Sequence, residues 1–112
     1  MKRLMMGAGL VCAILCGQVE AAETWTACVP VQVATYQGRI HVRCAAAVGG
    51  INFFAASTQD AAYAARLLAV LTAAQVAGRT LNILFDPADQ SGAAIGCGVN
   101  DCRLIRAAGF GQ

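Results

Sequence analysis

The 112 residues carry a formal net charge of +2 and are 58% hydrophobic, enough for one domain and too few for two. The charged residues are sparse and form no basic stripe, which argues against a nucleic-acid or anionic-membrane partner. With His41 as its one histidine and no acid pair in a recognisable device, the chain is not expected to be an enzyme.

Residues 1–21 have the three-part layout of a secretory signal peptide. Lys2 and Arg3 give the positive start, Leu4–Cys16 the apolar run, and Val19-Glu20-Ala21 a cleavage site of the usual Val-x-Ala kind. That run is short of the roughly 20 residues needed to span a bilayer. The expected product is therefore a single periplasmic or secreted domain, 22–112, with no transmembrane segment. A domain of this size has a small core, and disulfides are its usual reinforcement.

Val29, Val31 and Val33 alternate with Pro30, Gln32 and Ala34, the period-two pattern of a half-buried strand within Cys28–Thr35. After a turn at Gln37-Gly38 the alternation resumes. Ile40, Val42 and Cys44 fall on one face and Arg39, His41 and Arg43 on the other, so the segment reads as a hairpin with one wet side. Gly49-Gly50 breaks the chain and Ile51–Phe54 forms a third strand. A helix is then expected over Ser57–Gly78, with Ser57 as N-cap and Ala64, Leu67, Leu68, Leu71 and Ala74 on its apolar side. Leu81, Ile83 and Phe85 alternate as a fourth strand, and the last extended stretch covers Arg103–Ala108. Phe53, Phe54, Tyr63 and Phe85 sit in regular elements and are assigned to the core, while Trp25, Tyr36 and Phe110 lie near ends or turns.

The mature cysteines are Cys28, Cys44, Cys97 and Cys102. An oxidising compartment and spacings poor for a four-cysteine zinc site favour disulfides. As short-range pairs, Cys97 with Cys102 would close a tight turn and Cys28 with Cys44 would staple the open end of the first hairpin, although four cysteines allow three connectivities. No Cys-x-x-Cys redox pair is present. Asp86–Gly92 holds oxygen ligands, but two carboxylates match no calcium-loop pattern and the segment reads as turns. No metal or other cofactor is expected. The best anion contact is the face of Arg39, His41 and Arg43, since arginines two residues apart on a strand point the same way. The bland alternative there is a solvated sheet face.

Three strands, a helix and then further strands are compatible with an α+β fold. The expected form is a small OB-like, five-stranded Greek-key barrel with one helix between strands three and four, stapled by disulfides. Gly78–Pro87, the Ala94-Ile95-Gly96-Cys97 stretch with a second cysteine close behind, and the cysteine-bearing Arg39–Cys44 strand together resemble the B subunits of pertussis-like toxins, namely those of subtilase cytotoxin and typhoid toxin. The resemblance spans roughly residues 38–102. It implies the OB fold, a pentameric ring and glycan recognition through the first strand. It carries over no glycan-contact residue: the first strand lacks the family's serine, and Pro87–Gly92 replaces its aromatic insertion. The expected function is accordingly an exported binding or interaction module, toxin-B-like and homo-oligomeric, whose partner is a protein or a glycan. The alternative is an envelope structural or accessory protein with no glycan-binding activity.

Overall fold

A computed structural model describes residues 22–111; the segment read as a signal peptide lies outside them. The fold is small and α+β. Its elements are β1 (Thr24–Cys28), β2 (Pro30–Thr35), β3 (Arg39–Val48), β4 (Ile51–Ser57), α1 (Ala61–Ala77), β5 (Leu81–Phe85), a 3-10 helix (Ser91–Ile95), β6 (Cys102–Leu104) and β7 (Ala107–Gly109). They form two sheets, β2-β3-β4-β6 and β1-β5-β7, neither closed on itself. Pairing is antiparallel except between β4 and β6.

The sheets meet where the chain bends. β1 runs into β2 through Val29, and β6 into β7 through Ile105 and Arg106, so each bend hands the chain from one sheet to the other. At the second bend Ile105 N–H donates to Ala55 of β4, and Arg106 N–H to Leu84 of β5, both at 2.8 Å. At the first, Ala45 N–H donates to the Val29 carbonyl at 2.9 Å. The disulfide Cys28–Cys44 pins this first bend to β3, and Cys97–Cys102 closes the loop before β6.

Gly49 and Gly50, with φ of 58° and 85°, make the two-residue turn between β3 and β4. Both positions need the left-handed region that glycine enters without penalty. The core gathers Phe54, Ile40, Leu71, Leu81, Ile83 and Val42, all essentially inaccessible. Ala64, Leu67, Leu71 and Ala74 of α1 face it at helical spacing. Gly78 ends α1 in the left-handed conformation, its backbone N–H directed at the Ala74 and Gln75 carbonyls.

Three local expectations are corrected. The helix starts at Ala61 rather than near Ser57: Asp60 is the N-cap, accepting from Tyr63 N–H at 3.1 Å, and Ser57 closes β4 instead. The first extended stretch begins at Thr24 and divides at Val29. Val29 and Val31 are exposed, because the irregular register between Pro30 and Gln32 turns Pro30 inward. The terminal stretch is two short strands, and a 3-10 helix fills the space ahead of the second disulfide.

Candidate functional site

In the β1-β5-β7 sheet, Leu81, Ile83 and Phe85 of β5 turn into the core. Residues directly opposite each other on antiparallel strands share a face. The register therefore places Trp25, Ala27, Asn82, Leu84, Ala107 and Gly109 together on the outer side. Except for Trp25 and Leu84 these side chains are short, so the surface is low, and Trp25 stands 58% exposed at its edge. A cleft of about 540 Å³ opens here, lined by Trp25, Asn82, Ala108, Gly109, Phe110 and Gly111. Phe110 supplies a second ring, with the Arg79 guanidinium 5.3 Å from its centre. Asn82 is exposed beside these rings and offers an amide donor and acceptor. A side chain built at Gly109 would meet nothing within 4 Å, which makes the cleft open above it. Two aromatic faces, an amide and a low apolar floor suit a ligand with an apolar face and polar edges.

The second cleft, about 190 Å³, lies on the outer side of the other sheet. Its lining includes Arg39, His41, Phe53, Gly96 and Asp101. The structure thus brings Arg39 and His41 together and leaves the exposed Arg43 outside the lining. His41 is 6% exposed, contrary to the wet face that alternation assigns it. The Tyr36 and Phe53 rings pack against it, 5.2 and 5.3 Å away centre to centre. Its Nε2 is 3.1 Å from Gln32 Oε1; an amide oxygen only accepts, so Nε2 carries the hydrogen. Burial, then the neighbouring Arg39 charge, hold the imidazole pKa below its ordinary value. Arg39 is itself engaged: it stacks on Tyr36 with its guanidinium carbon 4.4 Å from the ring centre, and Nη1 donates to the Ile95 carbonyl at 3.3 Å.

The oxygen-bearing loop forms turns. Asp86 accepts from Ala88 N–H and Asp89 from Ser91 N–H, each at 2.9 Å. The Ser91 hydrogen bonds, with help from Arg106, hold the Asp89 carboxyl down at about 2. Among the described residues no three His, Cys, Asp or Glu side chains converge as a metal site, and no helix is long and apolar enough to cross a membrane.

Reading the sequence flagged the exposed rings of Trp25 and Phe110 but not Asn82 or Arg79, which complete their cleft. The one available signal was Asn82 on the polar phase of an otherwise apolar strand. In comparisons with known proteins, no family model, curated protein or solved structure matches the chain.

Proposed function

We propose that this chain is an exported, non-catalytic binding module that takes a saccharide on the outer face of the β1-β5-β7 sheet. The observation that carries this reading is the cleft of Trp25, Asn82 and Phe110. A pyranose ring has one face of C–H groups, which stacks on an aromatic side chain, and a rim of hydroxyls, which an amide can both donate to and accept from. Arg79 at the edge adds a cation for an acidic sugar. The two disulfides fit an oxidising, periplasmic or extracellular site of action.

The same reading includes an OB-like barrel, allied in plan to the toxin B subunits. Its support is the pairing order. When β1 with β2, and β6 with β7, are each counted as one bent strand, the strands neighbour one another in the order first, second, third, fifth, fourth, first. The helix then falls between the third and fourth, as such a barrel requires.

Trp25 is the only tryptophan, so its fluorescence reports its own cleft. Titration with a panel of neutral and acidic sugars should shift its emission to the blue for the sugars that bind. Trp25→Ala and Gly109→Leu should each abolish retention on the matching immobilised glycan with melting unchanged. No shift with any sugar, or full retention by both variants, would sink the saccharide reading.

A second reading, an interaction protein without glycan activity, is favoured by Val31, exposed on edge strand β2, by Val29, exposed at the bend just before it, and by Val76, exposed on α1. An anionic group in the cleft of Arg39 and His41 would serve either reading. Light scattering separates the readings further: a pentamer supports the toxin-like plan, and a monomer argues against it.

A further inference from the structure

A second groove follows α1, between the helix and the β6–β7 segment, and has only Ala108 in common with the saccharide cleft. It consists of two hollows that share Tyr63. One, of about 310 Å³, lies toward the start of the helix beside Ser57, Asp60, Ser91 and Leu104. The other, of about 360 Å³, is lined by Arg66, Leu67, Val70, Arg106, Ala107 and Ala108 as well as Tyr63.

Tyr63 is the anomaly. Its hydroxyl oxygen is closed off from solvent and has no hydrogen-bond partner, a condition that native interiors avoid. Burial raises the phenol pKa, so the group stays a donor in need of an acceptor. Arg66, one turn along the helix, has its guanidinium carbon 5.8 Å from the Tyr63 ring centre, and Asp60, which accepts from the Tyr63 backbone N–H, stands at the far end of the groove. Arg66 is exposed and pairs with no carboxylate among the described residues. Arg106 on the opposite wall is already held by Glu23 and Asp89, at 2.8 and 2.9 Å. The groove therefore offers one unused donor and one un-neutralised cation above an apolar wall.

We propose that this groove binds a monocarboxylate with a short apolar tail, its head taken by the Tyr63 hydroxyl and the Arg66 guanidinium and its tail laid on Leu67, Val70 and Ala108. Binding requires the side chains over the closed-off hydroxyl to part, and Arg66, exposed beside the Tyr63 ring, is the one placed to move. A dianion would need a second free cation, which Arg106 does not supply. The hollow of about 360 Å³ stands near the lower end of the roughly 300–1,000 Å³ typical of ligand sites, which limits the tail to a short chain.

The test is calorimetric titration of the oxidised protein with octanoate below its micelle point, with acetate and 1-octanol as head-only and tail-only controls. Octanoate should bind, and each control at least about tenfold more weakly. Tyr63→Phe, which keeps the ring and removes the unpartnered hydroxyl, should weaken octanoate by about tenfold, as should Arg66→Gln. Trp25→Ala should leave octanoate affinity unchanged, so this result stands apart from the saccharide reading. The proposal is overturned if the wild type does not bind octanoate, if 1-octanol binds as tightly, or if both groove variants keep full affinity.

Discussion

Replacing Arg103 by methionine should destabilise the domain by about 3 kcal/mol, because it strips three backbone carbonyls of a charged hydrogen-bond donor. The side chain is 9% exposed and makes three hydrogen bonds of 2.7 Å: Nε to the Pro87 carbonyl, and Nη1 to the Val99 and Cys102 carbonyls. One guanidinium thus ties the turn after β5 to the disulfide-closed loop before β6. Hydrogen bonds to a charged group contribute about 1.5–3 kcal/mol each. Desolvating the guanidinium and re-wetting the freed carbonyls cancel much of that sum, which brings the net to about 3 kcal/mol. Methionine keeps the stem's packing, so the loss reports the guanidinium. The assay is equilibrium urea unfolding of the oxidised protein, with Arg43→Met at an exposed arginine expected to stay within about 0.5 kcal/mol. Arg103→Lys should recover little, because one ammonium cannot span carbonyls from two separate loops. A cost below about 1 kcal/mol for Arg103→Met would refute the claim that this arginine joins the loops.

Cys28→Ser with Cys44→Ser opens a bridge of sequence separation 16 and should lower stability by about 3 kcal/mol on the chain-entropy account; an unchanged urea midpoint would show that the bend at Val29 holds without it. His41 supplies the pH dependence. Its folded pKa lies below the unfolded value of 6.5, through burial first and Arg39 second. The unfolded chain therefore takes up the proton more readily, and the His41 contribution is complete above about 6.5 and is lost as pH falls through the folded value. Urea midpoints should fall between pH 7.5 and 5, and fall less in His41→Gln; a rise in the wild type would contradict the burial argument. Anion binding at Arg39 and His41, if it strengthens with acidity, must then do so against this loss.

Elements with a strong local signal were legible in the sequence. The alternation in Arg39–Cys44 and Leu81–Phe85 marks β3 and β5, the glycine pair marks the turn between β3 and β4, and the leucine spacing marks the buried side of α1. Closeness in sequence pointed to Cys28 with Cys44 and Cys97 with Cys102, which are the bridges formed, although spacing alone does not settle three connectivities. Ser57 mimicked a cap because a serine three residues before an acid fits the capping pattern, yet Asp60 itself caps while Ser57 accepts from Gln59 N–H. Valine alternation at Val29 and Val31 pointed inward by period alone, and the bulge beside Pro30 reversed it. His41 was assigned to water on the correct strand face; Tyr36 and Phe53, from outside its own strand, bury that face.

The candidate site was half legible for a related reason. Trp25 and Phe110 come from opposite ends of the domain and meet because β5 accepts β1 on one side and β7 on the other. Those strands reach β5 only because the chain bends at Val29 and at Ile105–Arg106, leaving the second sheet to its own four strands. Local patterns report which side of a strand is wet, and a place near an end or turn set both rings apart from the core. They do not report which wet sides become neighbours. That depends on the two bends, one held by Cys28–Cys44 and the other by the Ile105 and Arg106 backbone hydrogen bonds. The rigidity of the cleft is therefore set at the corners of the fold, away from the residues that line it.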